Sequence, residues 1–166
     1  MRKLYILRHA KSAWDTDAVS DFQRPLAKRG MRNARLMGEW MVEHAINPEY
    51  IISSPALRTW QTVTLVCNAL GIDETRIECS IDLYLAEVET LLTRLRQVPA
   101  SINSVLLVGH NPGLEELVMW ITNGRAPRFG DGKLLPTATL AIFSMDVGWE
   151  QLDVGKATLV QINRAR

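Results

Sequence analysis

At 166 residues, 47% of them hydrophobic and 22% charged, the chain is sized for one globular domain, residues 1–166, with enough apolar material for a sizeable core. A net charge of +1 and the lack of any Lys/Arg run give no electrostatic reason to expect nucleic acid or an anionic membrane as a partner. No leader-like apolar core opens the chain, no apolar stretch is long enough to span a bilayer, and two cysteines without CxxC spacing exclude a disulfide framework, so a soluble cytoplasmic protein with both cysteines reduced and buried is expected.

The first element is the run Leu4, Tyr5, Ile6 and Leu7, continuously apolar and bounded by charge, which predicts a strand buried on both faces. It stops at Arg8, His9, Ala10, Lys11 and Ser12. Ligands of open parallel α/β sheets bind beyond the carboxyl ends of the strands, so this strand delivers a guanidinium and an imidazole to that edge. Residues 13–24 are polar and aperiodic, with Trp14, Asp15, Asp17 and Asp21, and read as a loop crossing the same edge. Ala34, Met37, Gly38 and Met41 recur at helical spacing and predict a helix over about 28–45, ended by Asn47 and Pro48.

Tyr50, Ile51 and Ile52 predict a second strand, which Ser53, Ser54 and Pro55 turn into a helix carrying Val63, Val66, Cys67 and Leu70 and stopped by Gly71. Ser54 suits the N-cap and Pro55 the first helical position, which puts Arg58 on the opening turn. A third strand is expected over 76–81, followed by a loop and a helix with Val88, Leu91, Leu92 and Leu95 in register, ended by Pro99.

Residues 105–108 form the strongest buried strand. It breaks at Gly109, His110, Asn111, Pro112 and Gly113, repeating the strand-turn-helix device with Asn111 as N-cap. Leu114, Leu117, Val118 and Ile121 form the apolar face of the helix that follows. Residues 125–136 read as a mobile loop, whose Gly130, Asp131 and Gly132 open no helix after a strand and so make no dinucleotide fingerprint. Residues 139–143 predict a fifth strand, and 149–152 with 158–162 predict edge strands joined as a hairpin. Alternating strands and helices imply an α/β fold with a mostly parallel sheet covered on both faces.

Strand ends thus supply Arg8 and His9, Arg58 near one helix start and His110 beside another. Two guanidiniums bind phosphoryl oxygens through forked, charge-assisted hydrogen bonds, and helix N-termini add N–H donors. A neutral imidazole whose other nitrogen donates to a fixed acceptor can attack phosphorus, which makes His9 the candidate nucleophile and requires no metal or cofactor. Lys11 and Ser12 from the turn, with Arg24 and Asn111, are candidates to contact substrate, as is Trp14. His44 and the remaining tryptophans read as structural.

The segments LRHAKSAW, RPLAKRG from Arg24, SSPALRTWQT from Ser53, VGHNPGLEEL from Val108 and LPTATLAIF from Leu135 together resemble the histidine phosphatase superfamily, and within it the small SixA-type phosphohistidine phosphatase branch. The resemblance implies a three-layer α/β sandwich without cofactor. It also implies His9 as the phosphorylated nucleophile and Arg8, Arg58 and His110 as the phosphate-binding core. Ala10 stands where many members have Gly, a methyl group that should leave the turn's chemistry intact. Many members take the leaving-group proton from a Glu or Asp in a later loop, and Glu87 is the positional candidate here.

The segment before Val105 is too short for the capping insertions of larger members, which implies an open pocket. The expected substrate is phosphohistidine on a phosphocarrier or relay protein. A small-molecule phosphomonoester or phosphoramidate is the alternative. A phosphoprotein-binding module without turnover is the competing class, and the presence of both His9 and His110 argues against it.

Overall fold

The computed structural model describes residues 1–166. In chain order it contains β1 (Arg2–Arg8), α1 (Lys28–Glu43), β2 (Tyr50–Ser53), α2 (Leu57–Leu70), β3 (Ile77–Cys79), α3 (Val88–Arg96), β4 (Ser104–Gly109), α4 (Gly113–Ile121), β5 (Thr139–Met145) and β6 (Thr158–Arg164), with short 3-10 turns between some of them. All six strands join one sheet in the order β3-β2-β4-β1-β5-β6. β3, β2, β4 and β1 run parallel, and β5 and β6 add an antiparallel edge.

The unbroken apolar runs are explained by burial on two sides. Successive side chains of a strand point to opposite faces. Leu4, Ile6, Ile52, Val105 and Leu107 pack with Leu91, Leu92 and Leu95 of α3 and Leu114, Leu117 and Val118 of α4. Tyr5, Leu7, Ile51, Leu106 and Val108 pack on the other face with Met37 and Met41 of α1 and Val63 and Val66 of α2. The result is a three-layer α/β sandwich. No helix is long and apolar enough to cross a membrane.

Several local expectations are corrected. The third strand is confined to Ile77–Cys79, and the chain then coils through a 3-10 turn at Ile81–Leu83. That strand is the sheet's outer edge, so Cys79 is exposed while Cys67 is buried. Residues 149–152 form no strand. Trp149 and Leu152 are spaced to share one face of a 3-10 turn, Trp149–Gln151, where the buried indole N–H donates to the Ile102 carbonyl at 2.8 Å. β6 therefore pairs with β5 alone, with a register irregularity between Ile142 and Phe143.

Neither proposed cap is used. α2 begins at Leu57 after Ala56, and α4 at Gly113 after Pro112. The Ser54 hydroxyl accepts from the Ala56 N–H at 3.3 Å and meets His110, while the Asn111 amide donates to Glu115 and to the Leu135 carbonyl. Both polar side chains are drawn into the sheet edge instead of the first helical turn.

Candidate active site

The site is assembled where β1 and β4 end together. Arg8 is in register with Gly109, so His9 and His110 each follow by one residue and stand with ring centroids 5.3 Å apart. His9 is only 7% exposed. Its Nδ1 lies 2.7 Å from the Ala10 carbonyl oxygen, which can only accept, so Nδ1 carries the proton and Nε2 of the neutral ring holds a lone pair.

The turn bearing this ring is held from every side. The His9 N–H donates to the Gly109 carbonyl, and the His9 carbonyl accepts from Ala138. The Ala10 N–H donates to Thr62 Oγ1 at 3.0 Å, and the Lys11 carbonyl accepts from Ala27 at 2.9 Å. Gly30 lets α1 approach so closely that a Cβ there would fall 2.0 Å from the Lys11 carbonyl oxygen. Ala10 itself is buried with Leu26, Ala34 and Ala138, so its methyl group fills a small apolar contact.

Arg58, 3% exposed on the first turn of α2, donates through Nη1 to the Asp21 carbonyl at 2.8 Å and through Nη2 to the Asp21 carboxylate at 3.0 Å. Nη2 also approaches His110 Nδ1 at 3.5 Å. A guanidinium only donates, which leaves Nδ1 as the acceptor and places the proton of neutral His110 on Nε2, 2.7 Å from Ser54 Oγ and 3.3 Å from Thr59 Oγ1. Arg8 donates from Nη1 to the Leu135 carbonyl at 3.2 Å. The Nε atoms of Arg8 and Arg58 are both buried without an acceptor in the protein, and a phosphoryl oxygen would satisfy such donors.

Burial is the main cause that pushes His9 down to about 4, with the charges of Arg8, Arg58 and Arg24 adding to it and the Ala10 carbonyl opposing it. Burial likewise drives His110 down to about 3, helped by His9, Arg58 and Arg8 and opposed by Asp21. Both rings are neutral at pH 7. The Tyr84 hydroxyl first, then Arg58 and Arg24, hold Asp21 down to about 2, so it is a firm carboxylate and no proton source. Desolvation lowers Arg8, while Glu115 supports its charge.

The other predicted residues form the frame of this pocket. The Arg24 guanidinium donates to Asp21 at 3.1 Å, to Ser12 Oγ at 3.0 Å and to the Ala13 carbonyl at 3.1 Å, and it lies 3.6 Å from the centre of the exposed Trp14 ring. Ser12 and Arg24 thereby fasten the 13–24 loop. Asn111 fastens the 135 loop, and Glu115 accepts from the Leu135 N–H at 3.2 Å. Lys11 is half-buried and makes no side-chain hydrogen bond. Glu87 is the exposed residue preceding α3 and contacts none of these groups by hydrogen bond or ion pair. No three His, Cys, Asp or Glu side chains converge as a metal site would require.

Sequence reasoning missed Asp21 and Tyr84. Tyr84 donates to Asp21 at 2.5 Å and meets His110 edge-on with centroids 5.5 Å apart. It missed Ser54, Thr59 and Thr62 in these roles as well. The only signal for Asp21 was an acid in a loop at the functional edge.

Paired guanidiniums, orphan N–H donors and a neutral, aimed imidazole define a site for transfer of a phosphoryl group, which is the chemistry of a phosphatase hydrolase. Residues 4–90 match the family model described as histidine phosphatase superfamily (branch 1). An uncharacterized protein of Mycobacterium tuberculosis is 30% identical over 160 residues, covering 93% of this chain and 96% of that protein. The phosphohistidine phosphatase SixA of Escherichia coli K12 is 28% identical over 145 residues, covering 83% of this chain and 85% of that one. A solved structure of the protein histidine phosphatase SixA complexed with tungstate superimposes with a TM-score of 0.80 at 27% identity, covering 96% and 95% of the two chains. The chain belongs to the histidine phosphatase superfamily and is a phosphatase of SixA-like fold.

Proposed function

We propose that this phosphatase hydrolyses phosphohistidine carried on another protein, through a covalent phospho-His9 intermediate. The observation that carries the reading is the His9 Nδ1–H bond to the Ala10 carbonyl, which fixes the tautomer and leaves a buried Nε2 lone pair beside two guanidiniums. The reading takes residues 1–166 as one domain, supported by all six strands joining one sheet.

Arg8 and Arg58 bind the equatorial phosphoryl oxygens, and Nε2 of His9 attacks phosphorus in line with the leaving nitrogen. The new N–P bond forms as the substrate's N–P bond breaks. Phosphohistidine protonated on its distal nitrogen departs as neutral imidazole and needs no acid from the enzyme. Water then attacks phospho-His9, the N–P bond to His9 breaks, and inorganic phosphate leaves. Catalysis comes from positioning and from fixed charge around the transferring group.

His110 is the proton carrier in this reading. Burial is the main cause that disfavours its imidazolium, and the charges of Arg58 and Arg8 add to it. A bound dianion offsets those charges, which eases protonation of His110 where an oxygen leaving group needs an acid. Glu87 has no contact that would aim it. The protein-substrate assignment is supported by likeness to SixA of Escherichia coli, which is a phosphohistidine phosphatase, and by the single nine-residue helix between β3 and β4, with no cap inserted over the site.

The test is to mix the protein with excess radiolabelled phosphohistidine carrier domain, quench rapidly, and follow released phosphate and acid-labile, base-stable label. Transient label on the parent and none on His9→Ala, with phosphate release lost, is expected. Tight binding with neither label nor turnover would overturn the reading in favour of a recognition module.

A further inference from the structure

A second cationic cavity opens at the same edge of the sheet, beside the β5–β6 side of the site. Its volume is about 240 Å³, and its walls include Arg29, Arg32 and Asn33 of α1, Thr137, and Arg164 and Arg166 at the end of β6. It adjoins the nucleophile's turn through Ala138, whose N–H donates to the His9 carbonyl and whose carbonyl accepts from Ala165. β1 and β6 are separated by β5 alone, so the cavity lies about 10 Å along the edge from His9.

Three observations mark it as a site for negative charge. Among its arginines only Arg164 has an ionic partner, Asp131 at 2.9 Å, and Arg29 and Arg32 make no hydrogen bond or ion pair. Glu39 and Glu43, further along α1, share the adjoining groove with Arg164 and Arg166 and pair with none of these arginines. Asn33 is 7% exposed and lines the wall, and its carboxamide N–H groups donate to no acceptor in the protein, so they are free to donate to an anion. Finally, α1 opens with Lys28 and Arg29 and has no acid in its first turn, against the preference of a helix N-terminus for negative side chains. Exposed cations held where the helix dipole opposes them indicate a use other than folding.

We propose that this cavity receives acidic side chains of the phosphorylated protein partner and so orients its phosphohistidine toward His9. This rests on the protein-substrate reading above. The cavity is smaller than pockets that enclose whole organic ligands, whereas a carboxylate or two fits it. A standard protein interface extends well beyond 10 Å from its centre, so a partner seated over His9 covers this cavity too. Arginine forks suit carboxylates geometrically, and peripheral charges of this kind act on encounter and register.

The experiment compares three substrates: phosphoimidazole, a phosphohistidine peptide with a Glu-Glu-Asp tract starting about four residues from the phosphohistidine, and the same peptide with Gly-Ser there. At low salt the parent should favour the acidic peptide by about tenfold in kcat/KM, the scale of a few solvent-screened ion pairs, and the preference should fade at high salt. Arg29→Glu/Arg32→Glu should abolish the preference through KM, leave phosphoimidazole turnover unchanged, and melt at the same temperature or higher because acids now open α1.

Equal rates on both peptides in the parent, a preference that survives in the variant, or an equal loss on phosphoimidazole would each overturn the inference. Equal rates together with shifts of the Asn33 amide resonances on titration with inorganic phosphate would assign the cavity to a small free anion instead. A parent that hydrolyses phosphoimidazole and neither peptide would sink the protein-substrate reading, and this inference with it. Hydrolysis of both peptides without preference sinks this inference alone.

Discussion

Lowering the pH should unload stability from the two histidines before Asp21 begins to titrate. Both rings are buried, and folding moves His9 from its ordinary 6.5 to about 4 and His110 from 6.5 to about 3. The unfolded chain therefore binds these protons first, so their contribution is intact above pH 6.5 and drains as pH falls through the window down to those folded values. At pH 5 the unfolded imidazoles are almost fully protonated and the folded ones almost neutral, a loss of about 2 kcal/mol per ring and roughly 4 kcal/mol together. Asp21 does not contribute to the change between pH 7.5 and 4.5, because its value of about 2 against an ordinary 3.8 keeps its contribution intact above pH 3.8. The assay is urea denaturation at intervals from pH 7.5 to 4.5 for the parent and for His9→Gln/His110→Gln. The double variant absorbs any fixed cost of substitution, so only the pH slope is compared. The parent should take up about two more protons on unfolding at pH 5 than at pH 7.5, and the variant about none of these. Parallel slopes would refute the buried, neutral assignment of both rings.

Other consequences follow from the same contacts. Asp21→Asn removes the anion that Arg58, Arg24 and Tyr84 share, and kcat/KM should fall about tenfold, with partial return in Asp21→Glu, because charged hydrogen bonds of this kind hold a guanidinium in place. Gly30→Ala puts a Cβ 2.0 Å from the Lys11 carbonyl oxygen and 3.0 Å from the Lys11 nitrogen, both backbone, so either α1 or the nucleophile's turn must move. A stability loss of about 1–3 kcal/mol or more by urea denaturation, with a fall in kcat, is expected. Glu87→Gln should leave turnover of phosphoramidates and phosphomonoesters alike unchanged, and a drop confined to phosphomonoesters would identify it as their acid.

The residues that chemistry places next to one another in sequence were legible, and those that meet only through the fold were not. Arg8 and His9 could be read because an apolar run ends abruptly on them, and His110 because the same pattern recurs after residues 105–108. Arg58 followed from the polar turn after β2. Asp21 reaches Arg58 and Tyr84 across 37 and 63 residues, and its own loop has no periodicity to place it. Asn111 and Ser54 have the local chemistry of helix caps. Here a buried imidazole and an ordered loop compete for the same polar atoms, and tertiary contacts win. Trp149 was misread because two apolar residues, Trp149 and Leu152, flanking Glu150 and Gln151 are too short a pattern to separate an edge strand from one 3-10 turn until their spacing meets a core. The cavity at Arg29 and Arg32 was equally silent, since those exposed arginines acquire meaning only when β6 brings Arg164 to them.

The order of causes acting on His9 separates two jobs that its cationic neighbours could perform. If Arg8 and Arg58 served chiefly to keep the nucleophile unprotonated, removing one charge would return the ring toward 6.5. Burial is the larger cause, and the Coulombic effect of Arg8 comes after it. Arg8→Gln should therefore leave His9 neutral at pH 7, moving its titration by about one unit or less on the ring-proton resonances. The same substitution removes a donor to the transferring phosphoryl group, where preorganised charge counts most, and kcat/KM should fall by about a hundredfold to a thousandfold. A ring that titrates near 6.5 in this variant would reverse the assignment, making the guanidinium a tuner of the nucleophile first and a phosphate ligand second. Activity lost with the ring still neutral identifies the phosphoryl oxygens as the charge that Arg8 is placed to meet.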